Sequence, residues 1–535
     1  MPAETVREAA FDIFRQRELT TLFANPGSTE VPLLAGLPDD LRFVLALHES
    51  SVVGIATGYA IGRDAPALAI LHTTAGLGNA VGALATARVN CAPLVVLVGQ
   101  QDRRHLPFEP FLTGRLQGLA GDYPVWVDQP LRPQDVPGAI DRAYHEAATR
   151  HGPALVIVPM DDWSAAAGEA HELASPVRVL RARSADPEAV AELAGLLGDA
   201  RSPALVVGAG ADSAETWAAL VALAERLACP VWQESFGARA GFPQDHALFA
   251  GHLPADRTRL RETLAPYDFV LAVGAPAFRQ YPYAPGAFVE PGTRVAVVSD
   301  DPAEVHRSAA ELAILAPPAA VCAELVQQVP TRDTPPPTPF ERPATPAPPA
   351  TGEPLRAGHV LAALADRLPR EAVVVEETPL NRPELQVRMP ASEPLGFLSA
   401  AMGGLGFALA GATGVRMAQP KRPVVAVAGD GSSLYGIQAL WSAAQYGVGA
   451  LFVILANGGY AVMDRLAERQ GGASPWPRFD VDVAGLARCF GCPALRIVEL
   501  AELETTLDEV LPRLAEREEP LLVEVTVEPD EVFAP

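Results

Sequence analysis

An acid held between two glycines follows one of the most apolar runs of the chain. In the stretch VVAVAGDGSS, the run Val424–Ala428 leads into Gly429, Asp430, Gly431 and Ser432. A carboxylate at a strand end, beside glycine amides and the hydroxyls of a starting helix, suits a diphosphate bridged by a divalent cation. The pattern therefore predicts a metal–diphosphate site.

The metal ligands can be predicted from the next strand-like run. Asn457 follows it in LFVILANGG at 451–459, so Asp430 and Asn457 are expected at neighbouring ends of a parallel sheet. The Asp430 carboxylate, the Asn457 amide oxygen and the Gly459 carbonyl are the predicted ligands, with phosphate oxygens and water completing six-fold coordination. The amides of Gly431 and Ser432, at the start of a helix, would face the phosphates.

Other phosphate-binding loops fit this stretch less well. A dinucleotide loop needs a third glycine that GDGSSL lacks, and a P-loop needs a lysine before its Ser or Thr. Gly208 and Gly210, at another predicted strand end, also lack the third glycine and are interpreted as a tight turn. A single Asn, Ser or Asp at a strand end is often only a helix cap, so the clustering of such residues carries the functional interpretation.

The elements that must position these residues are short β-rich runs, each followed by a turn and a helix-length segment. This pattern is typical of βαβ units and parallel sheets, and it predicts three doubly wound α/β domains. The predicted strands lie within 20–28, 43–50, 67–76, 93–102, 203–213, 230–237, 268–278, 294–302, 372–379, 424–433, 451–459 and 521–527.

Two changes in composition divide the chain. Residues 330–354 are dense in proline, which predicts an extended, semi-rigid surface linker. A second change falls near 175–190. The predicted units are a first domain at 1–180, a middle domain at 181–330, a linker at 331–354 and a third domain at 355–535.

Charge and hydropathy exclude several classes of partner. The net charge of −23 argues against nucleic acid and anionic lipid. No apolar run reaches the roughly 18 residues of a membrane span, and the acidic, amphipathic start is unlike a signal peptide. We therefore expect a cytoplasmic protein with no nucleic-acid or membrane partner.

Motifs along nearly the whole chain resemble one family. The stretch from GDGSS to LANGG resembles the thiamine-diphosphate binding motif, and FANPGSTEVPLL, ALHESSVVGIATGYA, HTTAGLGNAVGAL, LVGQQDR, GAPAFR and MGGLGFALAGATG occur in family order. This is the order of the thiamine-diphosphate decarboxylase and acetolactate synthase superfamily, and the similarity is greatest to the benzoylformate decarboxylases. The resemblance implies pyrimidine-binding, middle and diphosphate-binding domains, in a homodimer that shares its active sites or a homotetramer. The implied cofactors are thiamine diphosphate and Mg²⁺ or Ca²⁺.

The resemblance also implies roles for individual residues. Glu49 matches the glutamate that hydrogen-bonds the aminopyrimidine ring, where a carboxylate in a dry cleft would share a proton with the ring nitrogen. Leu405 matches the bulky residue over which the cofactor bends. Ser28 would bind the substrate carboxylate and His72 would relay protons, although a capping histidine is the structural alternative. The other predicted cofactor-binding residues are Asn25, Pro26, Gly27, Asn79, Glu377, Gly403, Gly429, Tyr460 and Ala461.

One position departs from the family pattern. Tyr281, in FRQYPYAP, stands where benzoylformate decarboxylases have a second histidine, and a phenol is a poor proton carrier near neutral pH. Val462, Met463 and Leu466 also differ in size from their counterparts, which leaves aryl specificity open. The predicted substrate pocket comprises Ser28, His72, Leu112, Tyr281, Val462, Met463 and Leu466.

The predicted function is non-oxidative decarboxylation of a 2-keto acid to an aldehyde, with carboligation as a compatible side activity. An acetolactate-synthase-type carboligase is the alternative within the enzymes, because it shares every cofactor residue. A cofactor-binding homologue without turnover is the alternative of another class.

Overall fold

A computed structural model describes residues 4–168, 176, 178–180, 182, 184–350 and 352–530. Three six-stranded sheets follow one another along the chain, and every strand pair within them is parallel. This confirms the prediction of three α/β units. Among the described residues, no helix is both long enough and apolar enough to cross a membrane.

The first sheet has the strand order β2-β1-β3-β4-β6-β5. Its strands are β1 Thr21–Ala24, β2 Arg42–Leu45, β3 Ala67–Leu71, β4 Leu94–Gln100, β5 Trp126–Asp128 and β6 Pro153–Pro159. The accompanying helices are α1 Val6–Gln16, α2 Val31–Leu34, α3 Glu49–Arg63, α4 Thr73–Val89 and α5 Val136–Arg150. The interior strands β3, β4 and β6 are buried along their whole length, as expected when helices cover both faces of a parallel sheet.

The second sheet has the order β12-β11-β10-β7-β8-β9. Its strands are β7 Pro203–Val207, β8 Val231–Gln233, β9 Phe249–His252, β10 Phe269–Val273, β11 Arg294–Ser299 and β12 Leu312–Leu315. Its helices are α6 Pro187–Asp199, α7 Ala214–Leu227, α8 Arg257–Leu264, α9 Pro302–Arg307 and α10 Pro318–Gln328.

The third sheet has the order β14-β13-β15-β16-β18-β17. Its strands are β13 Val373–Glu377, β14 Phe397–Ser399, β15 Val424–Gly429, β16 Leu451–Ala456, β17 Ala494–Ile497 and β18 Leu521–Thr526. Its helices are α11 Ala357–Ala365, α12 Arg382–Arg388, α13 Ala408–Ala418, α14 Asp430–Leu434, α15 Ala439–Gln445, α16 Ala461–Arg469, α17 Val483–Cys489 and α18 Leu500–Val510. Because β15 pairs with β16 in parallel, the residues that follow these two strands emerge at the same sheet edge.

The described residues of the proline-rich segment form no helix or strand, and they are bonded to the units on either side. Arg332 donates to the carbonyls of Leu197 and Ala200 at the end of α6. Arg342 donates to the carbonyls of Gln244 and Val387, which belong to the second and third units. The division of the chain into domains and a linker stays a prediction. The exact domain boundaries stay predictions, since residues 169–175, 177, 181 and 183, around the first of them, lie outside the described part.

The first and third units pack together through two glycine-containing helices. A methyl group added at Gly58 on α3 would lie 2.1 Å from the Gly411 carbonyl oxygen, and one at Gly414 on α13 would lie 2.0 Å from the Ile55 carbonyl oxygen. Only glycine permits backbones to approach so closely. This contact fixes α3, which begins at Glu49, against α13, which begins just after Leu405.

Candidate active site

Asp430 is the first residue of α14 and is buried at the end of β15. Its Oδ1 accepts a hydrogen bond from the Gly431 amide at 2.8 Å, and its Oδ2 accepts one from the Gly458 amide at 2.7 Å. Burial raises the pKa of Asp430 above its ordinary value, while these amide bonds oppose the rise. A cation placed against this carboxylate would favour its charged form.

Asn457 lies just beyond β16, at the same sheet edge as Asp430. Its Oδ1 accepts a hydrogen bond from the Gly459 amide at 3.0 Å, which orients the amide group. In the described part of the chain, no three His, Cys, Asp or Glu side chains gather into a metal-binding cluster. A cation here would therefore have one carboxylate, one side-chain amide and a backbone carbonyl, and would take its remaining oxygens from phosphate and water.

A cavity of about 250 Å³ joins most of the residues predicted to bind a diphosphate. The predicted residues in its wall are Gly403, Leu405, Gly429, Asp430, Gly431, Ser432, Asn457, Gly459, Tyr460, Ala461, Val462 and Met463. A buried carboxylate, an oriented amide and the amides at a helix start thus surround one space. These residues fit a diphosphate held by a divalent cation.

Glu377 holds a loop that forms part of the wall of this cavity. It ends β13, and its carboxylate accepts hydrogen bonds from the backbone amides of Gly406, Phe407 and Ala408. Burial raises the pKa of Glu377 to about 7 against the opposing effect of these three amides. Glu377 therefore fixes the loop that carries Leu405, a role that the sequence alone does not reveal.

A second predicted set gathers around Glu49 in the first unit. Glu49 is buried at the start of α3; its Oε1 accepts from Asn25 Nδ2 and its Oε2 from Asn79 Nδ2, each at 3.1 Å. Asn25 follows β1 and Asn79 lies on α4. Three separate elements thus hold one carboxylate in place.

The loop at 25–30 packs against His72, which lies between β3 and α4. A methyl group added at Gly27 would lie 2.5 Å from the imidazole ring, so the ring rests directly on this loop. Pro26 and Ser28 are exposed on the same loop.

His72 Nδ1 lies 2.9 Å from the Oε2 of the buried Glu30, a residue that the sequence did not single out. The only signal in the sequence was an acid shortly after a strand end, which usually indicates a helix cap.

A larger cavity of about 770 Å³ lies between the second and third units. It adjoins the diphosphate cavity, because both are lined by Thr378, Pro379, Gly403, Leu405 and Val462. Tyr281 lines the larger cavity, as do residues that the sequence analysis did not select, among them Phe236, Phe340 and Arg382. Four predicted pocket residues, Ser28, His72, Leu112 and Leu466, line neither cavity, and their role stays a prediction.

The set around Glu49 lines neither of these two cavities. The described residues that line the two cavities all belong to the second and third units and the linker, whereas Asn25, Glu49 and His72 belong to the first. Large apolar side chains are exposed in both the first and the third unit: Phe108 and Phe111 follow β4 in the first, and Tyr435, Tyr460, Met402 and Met463 belong to the third. Phe111 is 88% exposed. Exposed apolar clusters of this kind are typical of surfaces that another molecule covers.

Comparison with known proteins covers the same three units. Family models described as the N-terminal TPP binding domain, central domain and C-terminal TPP binding domain of thiamine pyrophosphate enzymes match residues 4–122, 190–325 and 385–525. Benzoylformate decarboxylase of Pseudomonas aeruginosa is 38% identical, over 98% of this chain and 100% of the relative. An acetolactate synthase large subunit of Parasynechococcus marenigrum is 29% identical, over 94% of this chain and 85% of the relative.

Solved structures agree with these sequence matches. The thiamine diphosphate-dependent 4-hydroxybenzoylformate decarboxylase of Rhodococcus jostii RHA1 superposes with a TM-score of 0.93 at 35% identity, covering 99% of this chain and 100% of the other. Benzoylformate decarboxylase from Polynucleobacter necessarius gives a TM-score of 0.92 at 33% identity, covering 99% of each chain.

Proposed function

This chain belongs to the thiamine pyrophosphate enzyme family, and on that premise we propose that it is a carboxy-lyase acting on a 2-keto acid. The reaction is a non-oxidative decarboxylation that yields carbon dioxide and an aldehyde. The observation that carries this proposal is the pair of adjoining cavities that meet at Leu405, one fitted to a diphosphate and the other large enough for an organic acid.

The cofactor residues fall into two groups. Asp430, Asn457 and the Gly459 carbonyl would hold Mg²⁺ or Ca²⁺ against the diphosphate, with amides at the start of α14 beside it. Glu49 would hold the aminopyrimidine ring. When bound, thiamine diphosphate supplies a nucleophilic ring carbon, and its thiazolium ring serves as the electron sink for decarboxylation.

The remaining chemistry is the transfer of protons by side chains of this chain. Glu49, held by Asn25 and Asn79, would exchange a proton with the pyrimidine ring nitrogen. The Ser28 hydroxyl would donate to the substrate carboxylate, and His72 would move a proton at the keto oxygen. Tyr281, in the wall of the larger cavity, would donate a hydrogen bond to substrate without carrying protons.

We also propose that two copies of the chain complete each active site, in a dimer or a tetramer built from such dimers. The Glu49 group lines neither of the cavities around Asp430, which supports this arrangement. The exposed apolar side chains of the first and third units support it as well. The first unit of one copy would then cover the third unit of its partner and exclude water from the reaction.

Carboligation is the second candidate activity. The cavity of about 770 Å³ leaves room for a second carbonyl compound beside the first substrate. The acetolactate synthase relative is also similar to this chain, at the lower identity of 29%.

A homologue without turnover is disfavoured, because Glu49 and Asp430 are both present and both are held in place by hydrogen bonds.

A panel of aryl, branched and short-chain 2-keto acids tests the proposal. Purified protein is supplied with thiamine diphosphate and Mg²⁺, and carbon dioxide and organic products are measured together, with reactions lacking cofactor as controls. One aldehyde for each carbon dioxide supports the decarboxylase, and a longer hydroxyketone product supports the carboligase. Absence of carbon dioxide from every member of the panel would contradict both.

A further inference from the structure

We propose that Glu30 is a positioning residue that holds His72 in the tautomer and orientation needed for proton transfer. The inference rests on the proposed function of His72 and deepens it. Glu30 is 3% exposed, although it lies on a surface loop directly before α2. Buried carboxylates are rare unless their oxygens are bonded, so the contacts of this one need an explanation.

Both carboxylate oxygens of Glu30 have partners. Oε2 accepts a hydrogen bond from the Gly27 amide at 2.7 Å and lies 2.9 Å from His72 Nδ1. Oε1 accepts a short hydrogen bond from the Thr29 hydroxyl, whose oxygen is itself 2.9 Å from His72 Nδ1. The carboxylate is therefore bonded to the loop as well as to the ring.

These contacts determine which ring nitrogen carries hydrogen. A carboxylate oxygen only accepts, and the Thr29 hydrogen is already donated to Glu30. Nδ1 of His72 must therefore carry a hydrogen that it shares between Glu30 and Thr29. In the neutral ring, Nε2 is then the nitrogen with a free lone pair, and it is the one able to take a proton and return it.

Packing prevents the group from rearranging. A methyl group added at Gly99 on β4 would lie 1.7 Å from Glu30 Oε1, so the carboxylate fills space that only a glycine leaves open. Gly27 rests against the ring of His72 in the same way. The His72 side chain is 15% exposed, so part of it reaches the surface of the chain.

The test compares Glu30→Gln, His72→Ala and the double variant, with Glu18→Gln as a matched control. Glu18 is in the same unit, its side chain is 81% exposed and it pairs with Arg63 at the surface. Glutamine has nearly the same shape as glutamate, but its NH₂ group can face Nδ1 and stabilise the other tautomer. We expect Glu30→Gln to lower kcat by about 10²- to 10⁴-fold with KM changed less than about threefold.

A double-variant comparison separates positioning from a general effect on folding. If Glu30 acts through His72, the double variant will be no slower than His72→Ala alone. Multiplicative losses, or a Glu30→Gln enzyme with nearly normal kcat while His72→Ala is impaired, would overturn the proposal. If Glu30→Gln does not fold, Thr29→Val serves as a second variant, because it removes the hydroxyl that holds Glu30. We expect Thr29→Val to lower kcat by about tenfold.

A tautomer measurement on the cofactor-free protein gives a readout independent of turnover. Nitrogen NMR of histidine-labelled protein, with the His72 signal assigned by its loss in His72→Ala, should show hydrogen on Nδ1 in the wild type and on Nε2 in Glu30→Gln. A wild-type ring with hydrogen on Nε2 alone would overturn the assignment. This result stands even if no 2-keto acid reacts, so failure of the proposed function and failure of this inference are distinguishable.

Discussion

Glu377 Oε1 accepts the backbone amide of Gly406 at 2.6 Å, and its Oε2 accepts the amides of Phe407 and Ala408. One strand-end carboxylate thus caps the start of α13 and holds the loop of Leu405, where the two cavities meet. The cofactor site therefore depends on a residue that need not touch the cofactor.

Replacing Glu377 by alanine should weaken cofactor binding. Each buried amide that loses its acceptor costs about 1–3 kcal/mol, so the loop is expected to leave its position. We expect the Kd for thiamine diphosphate to rise by at least about tenfold, as measured by calorimetric titration in Mg²⁺. Glu393→Ala, at an exposed position nearby, should bind as the wild type does. Unchanged affinity in Glu377→Ala would contradict this role.

Glu49→Gln should retain the cofactor and lose turnover. Glutamine keeps an acceptor for Asn25 or Asn79, but it cannot exchange a proton with the pyrimidine ring. Carbon dioxide release should fall by at least about 10²-fold while cofactor affinity changes little. Glu109→Gln is the control, since that side chain is 73% exposed. Normal turnover in Glu49→Gln would rule out the proposed proton exchange.

Asp430→Asn should uncouple cofactor binding from the metal. The substitution preserves size and removes the only carboxylate among the proposed ligands. Thiamine diphosphate affinity in Mg²⁺ should fall by about 10²-fold, and the difference between titrations with Mg²⁺ and with a chelator should shrink. Asp508→Asn serves as the control on the exposed side of α18. If thiamine diphosphate affinity depended on Mg²⁺ as strongly in Asp430→Asn as in the wild type, the cation would have to bind elsewhere.

Glu234 should make the stability of the enzyme depend on pH. Burial, reinforced by Glu304, raises the pKa of Glu234 to about 7, and its Oε2 has no hydrogen-bond partner among the described residues. Because the folded form keeps its proton longer than the unfolded form, this residue's contribution to stability is full below about pH 4.5 and falls as pH rises through 7. The loss amounts to about 3 kcal/mol.

Glu234→Gln is permanently neutral and should abolish that loss. Scanning calorimetry should show a higher melting temperature than the wild type at pH 8 and a similar one at pH 5. The exposed Glu262→Gln should match the wild type at both values. If the melting temperature of Glu234→Gln exceeded that of the wild type by no more at pH 8 than at pH 5, Glu234 would not be the source of the pH dependence.

Strand prediction succeeded where burial left a continuous apolar run. The described residues contain six strands that the sequence did not predict: β5, β6, β9, β12, β14 and β17. All except β6 lie at the edge of a sheet and are three or four residues long. Edge strands have neighbours on one side only, so their sequences need not be apolar throughout. β6 is different, since its buried run PALVIVP carries the same signal as the predicted strands.

The sequence by itself determined the fold class, the family and the residues around Asp430. Those residues lie within one βαβ step, where a strand, a turn and a helix start fix their relative positions. Tertiary structure decided what joins distant parts of the chain: Glu30 beside His72, Glu377 beneath the Leu405 loop, and the cavity between the second and third units. Such contacts join residues that are far apart in the chain and depend on how helices and loops pack across the sheets. A short stretch of sequence therefore does not predict them.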